Sequence, residues 1–203
     1  MSYLFKDCIS LYNIEFGNMD TNNVIDMSSM FDNCNNLREL NLQKFDTRNV
    51  KSMASMFNTC NRLSSLNLTN FDTSNVESMS SMFYSCRSLN RLIINNFNTK
   101  NVKDMSYMFF YNLALLSLDV SNFDTSKVTN MSYMFGDCYS ISRIDVSKFN
   151  TMNVNDMSGM FQDCNSVTNL DIGNFNTEKV KNMANMFMDC FLLTSLDLGN
   201  FKT

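Results

Sequence analysis

One 26-residue unit repeats eight times through this chain without an insertion or a deletion. Met1, Met27, Met53, Met79, Met105, Met131, Met157 and Met183 each open a unit. A fixed period of this size predicts a solenoid, in which each unit stacks on its neighbours and shares one continuous core. Residues 1–203 therefore read as a single array whose last unit is truncated. Pro is absent and only five Gly are present, so no composition shift marks a linker or a domain boundary.

The third unit, residues 53–78, shows the pattern within one period. Met53, Met56, Phe57 and Cys60 fall at i, i+3, i+4 and i+7, the apolar stripe of a short helix, and Leu63 extends it. The spacing then changes: Leu66 and Leu68 alternate around Asn67, as in a strand with one buried face. Asn70 turns the chain, Phe71 returns to the core, and residues 72–75 read as a second turn before Val76 leads into Met79. Each unit is thus expected to hold one short strand and about two turns of helix, an α/β repeat solenoid. A helix so short is marginal alone. Ordering costs about 1–2 kcal/mol per residue and burial returns about 1.5–3 kcal/mol per large apolar side chain, so only stacked units should fold.

The run Leu63-x-x-Leu66-x-Leu68 is the first half of a leucine-rich repeat. The string from Phe71-Asp72-Thr73-Ser74-Asn75-Val76 through Met79, Met82 and Phe83 to Cys86 resembles the bacterial surface protein 26-residue repeat, a relative of the BspA-like leucine-rich repeats. The resemblance covers the whole chain. It implies a leucine-rich-repeat-like right-handed coil, displayed on a cell surface or outside the cell, acting in adhesion or in contact with a host or matrix protein or glycan. Where leucine-rich repeats place buried asparagines, this chain has Met19, Phe45, Phe71, Phe97, Phe123, Phe149, Phe175 and Phe201. The threonine column from Thr21 and Thr47 to Thr177 and Thr203 is the natural substitute, because a hydroxyl both donates and accepts.

Composition narrows function mainly by exclusion. There is no His, which removes the commonest general base and the commonest zinc ligand, so the chain reads as non-catalytic. A net charge of −4 gives no overall basic footprint, and nucleic acid is not the expected partner. No apolar run is long enough to insert in a membrane, and no signal segment precedes the first unit. Both end units keep apolar residues at core positions, for example Leu4 and Phe5 in the first and Leu196 and Leu198 in the last. The array thus reads either as part of a longer one or as a spacer whose ends stack on one another.

Three sets of columns suggest chemistry. Cys8, Cys34, Cys60, Cys86, Cys138, Cys164 and Cys190 form one, interrupted by Asn112. One thiol per coil cannot assemble four tetrahedral ligands, so these read as small core residues and not as a metal site. The methionine columns read as core for the same reason. Aspartates recur at Asp119, Asp145, Asp171 and Asp197, and at Asp20, Asp46, Asp72 and Asp124. The second set is expected to bond local N–H groups and the first to form a solvated face beside the strand, with no cofactor and no bound cation.

The positions that differ between units carry the remaining information. Tyr107 and Tyr133 stand at the third position of units five and six, Tyr84 and Phe110-Tyr111 follow the repeated Phe, and Tyr139 follows Cys138. These six residues, Tyr84, Tyr107, Phe110, Tyr111, Tyr133 and Tyr139, are the candidate ligand-binding set, since Tyr offers rigid area and a polar tip. The strand side, with Asn67, Asn70, Asn96 and Asn122, is the competing polar face.

Overall fold

The computed structural model describes residues 1–202; Thr203, the last of the threonine column, lies outside the described residues. Hydrogen bonds between residues 25 or 26 apart run along the stack. In the second unit the N–H groups of Ser29, Phe31 and Asn33 donate to the carbonyls of Ala54, Met56 and Asn58 at 2.8–2.9 Å. Ser55, Phe57 and Thr59 repeat the pattern onto Ser80, Met82 and Tyr84. The N–H groups between them turn inward instead: Met30, Asp32 and Cys34 donate to the carbonyls three residues earlier.

The expected helix in each unit is therefore overturned, and the expected strand is regular in only two of the units among the described residues. No helix occurs among the described residues, and the regular strands are β1 (Ser65–Asn67) and β2 (Arg91–Ile93), paired in parallel with Leu66 opposite Leu92. Coil spacing explains the difference. Paired strands sit about 4.8 Å apart, whereas a helix with its side chains is about 10 Å wide, so a helix on every coil would splay the stack. Here the apolar stripe is carried by consecutive tight turns. The third and seventh residues of each unit adopt left-handed φ, as at Ser29 (53°) and Asn33 (62°), which aims alternate N–H groups along the axis. A left-handed non-glycine residue costs about 1–2 kcal/mol, offset by a backbone bond to the next coil on either side of it.

The apolar pattern itself was legible. Met53, Met56, Phe57, Cys60, Leu63 and Leu68 are fully buried and Leu66 nearly so, with Ser65 and Asn67 exposed on either side of it. The phenylalanines at the fifth position form a ring stack from Phe5 to Phe187, with centroids 5.5–6.0 Å apart and planes within 4–8° of parallel. A second column of single parallel bridges joins Asp26, Ser52, Ser78 and onward to Asn182. The end coils leave apolar side chains open, notably Ile9 and Tyr12 in the first and Phe191 and Leu192 in the last.

The buried threonines take the place of an asparagine ladder. The hydroxyl of Thr73 donates to the carbonyl of Asn98 at 3.1 Å and accepts the Asn98 N–H at 2.8 Å. Thr125 and Thr151 make the same two-way contact with Asn150 and Asn176. Replacing Thr73 with Val keeps the shape but leaves both groups of Asn98 without a partner, and should cost about 1–3 kcal/mol. Thr73→Ser should retain most of that stability. Urea unfolding of the two variants checks this, and equal losses would refute the hydroxyl's role.

Candidate functional site

The left-handed turns that replace the helix set the third, sixth and seventh positions of neighbouring coils along one edge. Units four to six place Tyr84, Tyr107, Phe110, Tyr111 and Tyr133 at these positions and Tyr139 at the ninth, and the structure brings all six candidate residues into one cluster. Tyr107 and Tyr133 stack face to face at 5.0 Å and 9°, and Tyr84 stacks on Phe110 at 5.1 Å. Phe110 presents its edge to Tyr107 at 5.5 Å and to Tyr133 at 5.8 Å, tying the two stacks together. Tyr111 lies beside Phe110 and extends the cluster to Tyr139 at 6.4 Å. The Arg87 guanidinium sits over the Tyr111 ring at 4.7 Å, a cation–π contact.

The rings are mostly half-buried against each other, with only Tyr139 classed as exposed. Their edges face solvent. The hydroxyls of Tyr84, Tyr107, Tyr111 and Tyr133 make no hydrogen bond to the described residues, whereas Tyr139 donates to Asp137 Oδ1 at 3.0 Å. Burial and that carboxylate push the Tyr139 phenol up to about 12. Burial, with Tyr133 and Tyr84 nearby, also raises Tyr107. Both phenols therefore remain neutral donors at physiological pH.

Two glycines complete the cluster. A Cβ on Gly136 would meet the Phe110 ring at 2.9 Å, and one on Gly159 would lie 2.2 Å from the Tyr133 ring. Gly159 also holds the left-handed third position of its unit, at φ +56°. Sequence reading passed over both. The available signal was a glycine one coil beyond an aromatic, at a position where other units carry a side chain.

The cysteine column takes no part in metal binding geometry. Each thiol from Cys34 onward donates to the carbonyl of a phenylalanine in the preceding coil, as Cys60 does to Phe31 at 3.2 Å and Cys138 to Phe109 at 3.1 Å. Among the described residues no three Cys, Asp or Glu converge as a metal-binding group. Asn112 imitates the thiol by donating to the carbonyl of Phe83 at 2.8 Å and adds a bond to that of Phe109 at 2.7 Å. Its side-chain oxygen is buried without a partner among the described residues.

The turn aspartates bond local N–H groups as expected, Asp72 and Asp124 accepting those of Ser74 and Ser126, and the strand-side column, expected only to be solvated, caps turns as well. Asp119 and Asp145 accept the N–H and the hydroxyl of Ser121 and Ser147, and these hydroxyl bonds hold both carboxyls below the usual carboxylate range. On the strand side, the amides of Asn70, Asn96, Asn122 and Asn174 donate to carbonyls of the preceding coil. These exposed asparagines tie successive coils together on the polar face that the sequence offered as the alternative to the aromatic edge.

Two expectations follow. Burial pushes the Cys34, Cys86 and Cys138 thiols up to about 12, so they should resist alkylation near neutral pH until the chain unfolds. Because unfolded thiols ionise from about pH 8.5, the unfolded state loses protons first and stability should fall above that pH. Timed labelling and alkaline unfolding measure both, and rapid native labelling of all seven thiols would contradict the burial. Asn112→Cys removes the orphaned oxygen and restores the column. It should raise stability by about 1 kcal/mol, read as a higher urea midpoint.

With this geometry established, likeness to other proteins can be weighed. The fold is similar to that of a leucine rich cell surface protein from Faecalibacterium prausnitzii A2-165, with a TM-score of 0.51 and 17% sequence identity. The alignment covers 95% of this chain but 62% of that one, so this chain spans less than two thirds of its length. A leucine-rich repeat protein from Bacteroides ovatus ATCC 8483 aligns over 95% of this chain and 68% of its own, at 17% identity and a TM-score of 0.26, and carries no argument. No curated protein matches the sequence. Family matches span residues 1–113 and 92–201, and the chain belongs to the family described as "Mycoplasma protein of unknown function, DUF285".

Proposed function

We propose that this chain is a non-catalytic recognition module displayed on a cell surface, whose partner docks on the aromatic edge of units four to six. The observation that supports the reading most is the clustering itself. In a chain where most positions repeat, six aromatics in three adjacent coils form one contiguous array and leave four phenol hydroxyls without protein partners. Rigid aromatic area with polar tips is the chemistry of recognition surfaces. Surface display is supported by the fold's likeness to a protein described as a leucine rich cell surface protein. The depressions on the coil stack are shallow and open, of about 250 Å³ beside Phe16 and about 430 Å³ beside Asp145. A non-catalytic role fits them.

The partner is a matrix or host protein or a glycan that meets the hydroxyl-lined ring edges. A glycan and matrix-protein array tests this with two variants. Replacing Tyr107, Phe110, Tyr111 and Tyr133 with Ala removes the surface, but it also removes packing. A second variant, with Tyr84, Tyr107, Tyr111 and Tyr133 changed to Phe, keeps the stacks and deletes only the hydroxyls. Binding by the parent should be lost in the first variant and weakened about tenfold in the second, at an unchanged melting temperature for the second. Undiminished binding by both variants would move recognition elsewhere. Silence of the parent on every probe would favour a spacer.

A further inference from the structure

A second surface has a different chemistry. At positions 22, 23 and 25 of the unit stand Lys51, Lys100, Lys103, Lys127, Lys179 and Lys181, six of the sixteen Lys and Arg residues, all exposed. Only Glu77 and Glu178 of the twenty acids share these positions. Arg48 also lies there, but its charge is taken up by Asp46 at 2.6 Å. Asp20, Asp72 and Asp124 accept the N–H two residues on in the same turns, and Lys202 answers Glu178, so the six lysines of this ridge exceed the acids of these turns by two, in a chain whose net charge is −4.

The ridge is held in place by asparagines. Asn49, Asn75, Asn101 and Asn153 donate through their amides to carbonyls of the preceding coil at 2.7–2.8 Å. Their oxygens are then free to accept. The Lys127 ammonium rests on the Asn101 oxygen and that of Lys179 on the Asn153 oxygen, each at 2.7 Å. A neutral amide fixes the ammonium without cancelling its charge. Lys103 does pair with Glu77 at 2.6 Å, yet Lys51 and Lys127 also act on that carboxylate, so one acid serves three cations. Lys51, Asn75, Glu77, Asn101, Lys103 and Lys127 line a shallow groove of about 260 Å³.

We infer that this ridge binds an extended acidic polysaccharide laid parallel to the coil axis, through sulfate or carboxylate groups. Its charge density decides among anionic partners. Two net positive charges are spread along roughly 30 Å of stacked coils, about one per 15 Å, against one negative charge per about 1.7 Å on duplex DNA. Positions 22, 23 and 25 hold no aromatic residue on which the bases of a single strand could stack. They hold no buried apolar anchor of the kind that dominates protein interfaces either. A sparsely charged, hydroxyl-rich single chain matches what remains: spaced ammonium groups with amide donors and acceptors between them.

The experiment measures binding of a fluorescent hyaluronan fragment, which carries one carboxylate per disaccharide, to the intact chain over a range of salt concentrations. The parent should bind, with affinity falling linearly in log–log form as salt rises. Changing Lys103, Lys127 and Lys181 together to Gln should weaken binding at least about tenfold and flatten the salt slope. Arg143→Gln with Lys148→Gln, on the other side of the coil, should leave it unchanged. All five side chains are exposed, so unchanged melting temperatures accompany a valid comparison. The Tyr→Phe variant of the aromatic edge should bind hyaluronan as the parent does, which separates this site from the proposed recognition surface. Failure of the parent to bind, or equal losses in the two lysine and arginine variants, would overturn the inference. Tighter binding of oligothymidine than of hyaluronan would do so as well, in favour of nucleic acid.

Discussion

Everything else in this structure depends on where alternate backbone N–H groups point. Along the turn segment of each unit, every second N–H donates to the coil that follows and the others close turns within the coil. That alternation demands a left-handed residue at positions three and seven, which the chain supplies with Ser, Asn, Thr, Asp, Tyr and Gly. It also keeps each coil one backbone thick. Identical side chains must then stack directly above one another, and the phenylalanine, threonine and cysteine columns follow from the same constraint.

A column is stabilising only if its residue can tolerate a copy of itself a few ångströms away. Phenylalanine stacks, threonine donates to one coil while accepting from it, and a protonated thiol donates to the carbonyl before it. Carboxylates tolerate the arrangement by turning to their own serines. Against this uniform background the departures are informative. Asn112 in place of Cys, Gly136 and Gly159 beneath aromatic rings, and Lys127 and Lys179 in place of Asn each change what one stretch of the surface can contact. The two candidate binding surfaces are both built from such departures.

The helix was misread for a definite reason. Apolar residues at i, i+3, i+4 and i+7 are what a helix requires, but consecutive i+3 turns separated by left-handed residues produce the same inward set. Met53, Met56, Phe57 and Cys60 are buried either way. A distinguishing signal was present: Ser, Asn, Asp and Gly recur at positions three and seven, and these residues favour turns. The exposed asparagines carry a role their pattern does not show, because a polar residue on a surface looks available until its amide is seen bonded to the coil before it.

The sequence alone determined the period, the identity of the core and the columns that would stack, because an uninterrupted 26-residue repeat allows each residue only a copy or a near-copy of itself as its neighbour. It also located the six aromatics in adjacent units. Tertiary structure decided what the periodicity left open: whether the apolar stripe is helix or turn, which asparagines are bound, and which lysines keep an uncancelled charge. Those outcomes rest on the distance between coils and on which donor meets which acceptor across it, and neither quantity is encoded in the pattern of any one unit.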